Sequence, residues 1–527
     1  MDSHVKRFAK TLFRPRASSK DDRAIDVVTK DATIITGTEN VDDESVPGFR
    51  KDLVWSEDEE KMIVKKVDRS ILILMGFIFF VLQVDRGNIA SALSDNITGD
   101  TNMSVNDFNL GTAVFVLAYS CAQVPLNSLT RLFGPSITIP VSCICWGIVT
   151  VSQAFISNRT QYLITRALLG VAECVFLPAA IMYLNTYYKK GEFATRLSWL
   201  YAVYGIANIC TGFLGFAILR MRGIGGLPGW SWMFIIDGAA TIILGLVCFF
   251  VIPTNPTKTT SFLRRNPLFT EREAQISVTR VILDDPTKAA KSRDSFTRQD
   301  IEESLSDLNI WIHVFIGIFS QMPSPQIGLF SSYVIKSLGF DTVYANLLTV
   351  PASIFGVIAM VTVTRSSDKL NERAYHSVFA LVWQAVGLVL LVLLPDSKWP
   401  LYAALIFTLS WPSFHPLHVS WLANNMNPMN KRSIATSMLI SAVSFGQVAA
   451  SQVYRDDDAP RFKRGNSIFV GTTLLAILLV LFKHYHYQWV NHRRAKKWAS
   501  MSEDEREEYS NKTKDVGSNK LNFRFRP

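Results

Sequence analysis

The sequence predicts an all-α integral membrane protein of twelve transmembrane helices arranged as two six-helix halves. Three observations predict it. Long apolar blocks alternate with short polar joints, and about 20 apolar residues suffice to cross a bilayer core. Of the 527 residues 49% are hydrophobic and 19% are charged, with the charge gathered in two tails and one central stretch. The joints that would share one side of the membrane are rich in Lys and Arg, as the positive-inside rule requires.

The elements follow in order. A polar tail over 1–68 opens the chain, basic over Val5–Lys20 and mixed with acids over Asp21–Glu60. Such a composition is expected to be mostly disordered, and with no apolar core it is not a signal peptide. The first half, 69–252, holds spans at 69–93, 109–131, 136–157, 161–187, 198–219 and 232–252. A hydrophilic loop covers 253–308. The second half, 309–488, holds spans at 309–335, 342–364, 375–394, 399–422, 433–453 and 467–488, and a charged tail covers 489–527. Pro125, Pro178, Pro323, Pro325, Pro351, Pro412 and Pro416 interrupt spans. Membrane helices tolerate them where neighbours satisfy the freed backbone groups, and kinked helices suit bundles that must rock.

Loop charge sets an expected topology with both tails and the 253–308 loop cytoplasmic. On that side lie Arg131, then Lys189, Lys190 and Arg196, then Arg365, Lys369 and Arg373, then Lys431 and Arg432. The first outer loop carries Asp95, Asp100 and Asp107 and no Lys or Arg. The stretch YRDDDAPRFKRG departs from the rule, with Arg455, Arg461, Lys463 and Arg464 outside, offset by Asp456, Asp457 and Asp458. The sequons at Asn96, Asn102 and Asn158 fall on outer loops and are candidate glycosylation sites, while Asn511 lies in the inner tail.

Several classes are excluded. The formal net charge of +10 does not mark a nucleic-acid partner, because the basic residues flank apolar spans and form no single patch. Cys121, Cys143, Cys145, Cys174, Cys210 and Cys248 all fall in apolar blocks, where they act as small hydrophobes with no disulfide or metal expected. No HExxH, P-loop or GxSxG pattern supports an enzyme.

Ionisable groups inside spans cost about 2.5–3.5 kcal/mol on insertion scales and so point to function. Asp85-Arg86 is one such group, in FVLQVDRGNIASAL. Adjacent helical residues point about 100° apart, so Asp85 could accept a proton while Arg86 holds an anion; the bland alternative is a pair that snorkels to the interface. Arg166 and Glu173, in RALLGVAECVFLPA, are the second. Seven residues apart, they share a helix face, and Gly170 between them would admit a neighbouring helix. A carboxylate there is pushed up by desolvation and down by a guanidinium, so it could load and unload a proton; a structural ion pair is the alternative. Tyr119, Gln321, Gln326, His415, His418 and Gln447 could hydrogen-bond a substrate or a neighbouring helix.

The six-plus-six layout resembles the major facilitator superfamily. GPSITIP and SSDKLNER resemble degenerate copies of its inner-loop motif, in which a glycine, an aspartate and basic residues brace neighbouring helices. Asp368, Lys369 and Arg373 keep the charged form; the first copy keeps Arg131 and Gly134 but lacks the aspartate. More specifically, from about residue 54 onward the chain resembles the anion:cation symporter family in its fungal allantoate-permease branch. VWSEDEEKMIVKKVDR, VDRGNIASAL, RALLGVAE with Pro178, MRGIGGLPGWSWMFIIDG and DDDAPRFKRGN carry this resemblance.

The resemblance implies that Asp85 and Glu173 bind protons, Arg86 contacts the anion and Arg166 supports Glu173. Family members carry allantoate, ureidosuccinate, nicotinate, pantothenate, biotin, cysteine, sulfonates or inorganic sulfur anions, and the sulfonate and sulfur-anion members look nearest. The expectation is a monomeric, plasma-membrane symporter of a small anion, driven by the proton gradient with no bound cofactor. A nutrient sensor of transporter fold and an exporter or organellar carrier stand as alternatives.

Overall fold

The computed structural model describes residues 47–257, 259, 267–285, 298–427, 429–513 and 517–527. Residues 1–46 of the tail expected to be disordered, much of the 253–308 loop, and the side chains of Arg131, Lys190 and Asn511 lie outside the described residues, while the described end of that tail is helical from Glu57, contrary to the expectation.

Helix α1 (Glu57–Val67) starts on a reciprocal cap in which Ser56 and Glu59 satisfy each other's backbone N–H, and four acidic residues fill its first turn. Both features offset the unpaired N–H groups and partial positive charge of a helix start. A π-helical turn, Asp68–Leu72, carries the rod into α2 (Ile73–Ser94). The first half continues with α3 (Val105–Phe133), α4 (Pro135–Gln153), α5 (Arg159–Glu173), α6 (Phe176–Asn185), α7 (Lys190–Ile218) and α8 (Gly229–Val251). Between the halves lie α9 (Glu271–Asp284) and α10 (Arg298–Leu305). The second half comprises α11 (Leu308–Gln321), α12 (Pro323–Ser337), α13 (Thr342–Leu347), α14 (Val350–Leu370), α15 (Ala374–Leu393), α16 (Lys398–Leu409), α17 (His415–Asn425), α18 (Met429–Ser451) and α19 (Lys463–Ala499). The short α20 (Glu503–Lys512) follows.

Among the described residues, 9 helical rods are long and apolar enough to cross a membrane. The second, seventh and tenth expected spans are not among them. The second, α3, includes Val124 and Arg131, whose side chains lie outside the described residues. The seventh is divided into α11 and α12 at Met322, just before Pro323 and Pro325, and the tenth into α16 and α17 by Ser410–Phe414, where Pro412 stands. Proline lacks an N–H and clashes with the preceding turn, so each break falls where a ladder bond is lost. Large apolar side chains such as Ile243, Phe249, Leu478 and Phe482 remain exposed on the bundle exterior, the face a lipid environment covers. Cys121 and Cys145 also lie exposed, not buried as their apolar surroundings suggested, whereas Cys143, Cys174 and Cys248 are buried.

Within the first half α4 packs along α8, α3 along α5, and α2 against both α7 and α8. The α4–α8 contact depends on paired glycines: a Cβ on Gly238 would stand 2.8 Å from the Gly147 carbonyl, and one on Gly147 would stand 3.0 Å from the Gly238 carbonyl. In the second half α15 pairs with α19, and α11 with α18 and α19.

The two halves are clasped at the end of the bundle away from the tails. Asn109 donates to the Tyr454 carbonyl and accepts from Gln326 Nε2 at 2.9 Å. Lys336 Nζ donates to the Ser94 carbonyl at 2.7 Å, and Asn346 Nδ2 donates to Ser94 Oγ at 3.0 Å. The basic excess of YRDDDAPRFKRG is neutralised there: Arg464 pairs with Asp457 and Arg461 with Asp396.

The tail end is held by ions. Arg196 and the Tyr188 hydroxyl donate to Asp68. Arg280, on α9 and fully buried, binds Glu192 at 2.9 Å and Glu60 at 3.3 Å. Asp368 and Arg373 pair at 2.7 Å inside their own loop, so the N-terminal brace is built from Asp68 and Arg196, which lie outside GPSITIP. The final residues dock on α17 and α19. Phe525 stacks on Tyr487 with ring centroids 4.5 Å apart, and Trp421 Nε1 and Asn425 Nδ2 donate to the Arg526 carbonyl.

Helix α9 provides a pH-dependent contact. Burial pushes the Glu273 carboxyl up, but hydrogen bonding from Lys66 at 2.6 Å, with the Thr270 backbone, outweighs it and holds the group below its ordinary value. A lowered folded-state pKa contributes stability above the ordinary carboxylate pKa that is lost as pH falls through the lowered value. Amide exchange in α9 is therefore expected to accelerate below about pH 4, modestly because the pair is part-exposed. Lys66→Met is expected to flatten that step. A step unchanged in the variant would assign it to another group.

Candidate functional site

Helix α2 runs apolar from Ile73 to Val84, then presents Asp85, Arg86 and Asn88 within one turn. Because successive helical positions diverge by about 100°, the two charges face different neighbours. Arg86 Nε reaches Glu173 Oε2 of α5 at 2.6 Å, and the Glu173 side chain is 0% exposed while Arg86 keeps 32%. Asp85 is turned toward α4 and α8, and Thr150 Oγ1 donates to its Oδ2 at 2.7 Å.

Arg166 does not pair with Glu173, contrary to the expectation from their shared helix face. Its guanidinium lies over the Phe115 ring, 4.9 Å from the centroid, and its buried Nε lacks a hydrogen-bond partner among the described residues. Arg86 approaches the same ring at 5.8 Å and Tyr119 at 5.1 Å. Phe115 thus stands between two guanidinium groups, whose cations its face attracts. Gly170 positions this arrangement: a Cβ there would be 2.4 Å from the Phe115 carbonyl, so α3 can bring Phe115 and Tyr119 to the arginines only because residue 170 has no side chain.

Asp237, on α8, completes the cluster and was missed in the sequence. Asn88 Nδ2 donates to its Oδ2 at 2.8 Å, and the neighbouring Gly238 packs on Gly147, one turn from the Thr150 that bonds Asp85, so the two carboxyl groups meet on one face of α2. The signal was available: FIIDGAATII places a carboxyl inside an apolar span, the same criterion that selects Asp85.

The second-half candidates divide differently. Gln326 is buried in the clasp on Asn109, so its amide is committed to joining the halves. His418 is fully buried and bonds His313, 3.1 Å away, and His313 in turn bonds the Tyr487 hydroxyl at 3.0 Å. His415 and Gln321 are part-buried, with His415 Nδ1 and Gln321 Nε2 lacking partners among the described residues. Gln447 is part-buried on α18. Lys483 was also missed: on α19 and fully buried, it donates to Asn309 at 2.7 Å and lies over Tyr487. Its residue type in LLVLFKHYHYQW was the available sign. Asn96, Asn102 and Asn158 are all exposed at the clasped end, and Asn158 caps α5 by accepting from Gln161 N.

Two clasped helical halves, apolar outside and holding a charged cluster against the packed core of one half, have the build of a multi-pass membrane transporter. The chain belongs to the Major Facilitator Superfamily, whose family model matches residues 75–451. It is 33% identical to an uncharacterized transporter of Saccharomyces cerevisiae, over 92% of this chain and 90% of that one. It is 28% identical to the MFS-type transporter efuF of Hormonema carpetanum, over 82% and 86%. Among solved structures, the E. coli xylose transporter XylE in a partially occluded inward-open conformation matches with a TM-score of 0.60 at 14% identity, over 78% of this chain and 96% of that one. A bacterial homologue of the human lysosomal transporter Spinster, inward-facing, matches with a TM-score of 0.61 at 13% identity, over 81% and 97%. At those identities the two structures establish the fold alone.

Proposed function

We propose that this protein is a monomeric symporter that couples uptake of a small organic or sulfur-containing anion, a carboxylate, vitamin acid or sulfonate, to the inward movement of protons. The observation that carries the reading is the asymmetric ion pair: a carboxylate fully withdrawn from solvent, Glu173, bound to an arginine that remains 32% exposed, Arg86. One guanidinium then serves two anions in turn. While Glu173 is ionised it occupies Arg86. A proton on Glu173 removes that competitor and leaves an uncompensated guanidinium, which attracts a substrate anion. Loss of the proton restores the internal pair and expels the anion. Proton and anion therefore load together without leaving a buried charge unpaired. The resemblance to the anion:cation symporter family agrees with uptake at the plasma membrane, and loop charge supports cytoplasmic tails.

In proteoliposomes, uptake of the transported anion is expected to rise as external pH falls and to lose accumulation when an ionophore collapses the proton gradient. The anion itself is found by offering sulfonates, carboxylates and vitamin acids one at a time. Accumulation indifferent to the ionophore would end the symport reading.

A further inference from the structure

The cluster around α2 contains more acid than the Arg86–Glu173 pair uses. Three carboxyl groups, Asp85, Glu173 and Asp237, share it with two guanidinium groups, Arg86 and Arg166. With every group ionised, one negative charge would stand uncompensated, and buried charges are otherwise paired. Glu173 and Asp85 each keep one buried oxygen without a donor among the described residues, but Glu173 has a guanidinium partner, whereas Asp85 faces a second carboxyl. Asp85 is 4% exposed; Thr150 satisfies its Oδ2, while its buried Oδ1 has no protein donor among the described residues. Asn88, one turn from Asp85, binds Asp237 Oδ2, and Gly238 beside Asp237 packs on Gly147, one turn from Thr150, which sets the Asp237 carboxyl beside that of Asp85. Asp85 and Asn88 lie three residues apart on one face of α2, so Asp237 docks on both. Two carboxylates side by side repel, whereas a carboxylic acid donates to a carboxylate. One proton between them therefore supplies the missing donor, removes the repulsion and balances the charge.

We infer that Asp85 and Asp237 form a carboxyl pair that shares a single proton, a protonation site separate from Glu173. Beside it Glu173 is held by Arg86, and Arg166 approaches from α5. Thr150 faces it from α4. Of the other helices packed on α2, α7 brings Thr211 against Gly87, and α12 brings Lys336 to Ser94 at the clasped end. The shared proton belongs to the pair and not to either residue. Its use in transport rests on the proton-coupled reading above; its existence does not.

The test is infrared difference spectroscopy of the purified full-length protein across a pH titration, following the C=O stretch of protonated carboxyl groups. Asp85→Asn and Asp237→Asn are each expected to abolish the same band, the double variant to remove no more than either alone, and Glu173→Gln to keep the band but shift its loss to lower pH, because one negative charge has left the cluster. Both are near-isosteric, and Asn88 or Thr150 can still bond the new amide oxygen, so if one fails to fold the other reads the same band. Separate bands lost additively, or a band untouched by Asp237→Asn, would overturn the pair. Proton-to-anion stoichiometry then separates the two ideas. In the single variants it is expected to fall by one proton, with no further fall in the double. A band that behaves as described in a protein whose accumulation ignores the gradient would leave the pair standing and remove the symport reading.

Discussion

Arg86→Ala is expected to abolish anion uptake and to destabilise the protein, whereas Glu173→Gln is expected to spare both folding and anion exchange while losing gradient-driven accumulation. The difference follows from burial. Removing Arg86 strands a carboxylate with 0% exposure, and breaking a buried ion pair from one side costs about 3–5 kcal/mol. Removing the charge of Glu173 leaves a guanidinium that still reaches the Tyr119 ring and keeps 32% exposure, so the cost is smaller. A charge-assisted hydrogen bond contributes about 1.5–3 kcal/mol, so anion affinity in Arg86→Ala should fall by roughly tenfold to a hundredfold or more. The double variant should recover much of the lost stability, because neither charge is then left alone, yet it should not recover uptake. Thermal unfolding of the four proteins, with counterflow exchange and gradient-driven uptake in the three variants and the parent, reads both effects. Equal loss of exchange and accumulation in Glu173→Gln would make the pair a structural brace.

Gly170→Ala is expected to lower folded yield and uptake together, although alanine is the smallest change available. Its Cβ would meet the Phe115 carbonyl at 2.4 Å and the Tyr119 amide nitrogen at 3.0 Å. Both are backbone atoms, so no rotamer relieves the clash and α3 must move away from α5. Overpacking of this kind typically costs about 1–3 kcal/mol, and the same shift withdraws Phe115 and Tyr119 from Arg86 and Arg166. Gly471→Ala in α19, where nothing lies within 4 Å, provides the control. There the gain of helix propensity should stabilise by about 0.5–1 kcal/mol. Thermal unfolding in detergent distinguishes the two, and equal midpoints would show that α3 and α5 tolerate separation.

Much of the site was legible because charge within an apolar span is conspicuous. Asp85, Arg86, Arg166 and Glu173 were found that way, and Gly170 was correctly read as the place where another helix approaches. The partners were not legible. Spacing on one helix suggested that Arg166 serves Glu173, but seven residues span about 10 Å along the axis, and a guanidinium on another helix comes nearer. Gln326 could bond a substrate or a neighbouring helix, and the sequence left that open; its partner is Asn109 of the other half. The broken tenth span was marked by Pro412 and Pro416 in advance, while the docking of Phe525 on Tyr487 depends on a tail returning to its own half, which periodicity does not encode.

What the sequence determined by itself is the class: apolar length dictates helices, because a bilayer leaves no water to satisfy a backbone that is not internally bonded. Charges within those helices marked the first half as the place of the candidate site. What only the tertiary structure decided is which charge meets which. Ion pairs, the clasp between halves and the meeting of Asp85 with Asp237 depend on the rotation of each helix about its axis, and packing at small residues such as Gly147, Gly170 and Gly238 sets that rotation. A one-dimensional pattern records which face of a helix is polar; only the assembled bundle places that face against a neighbour.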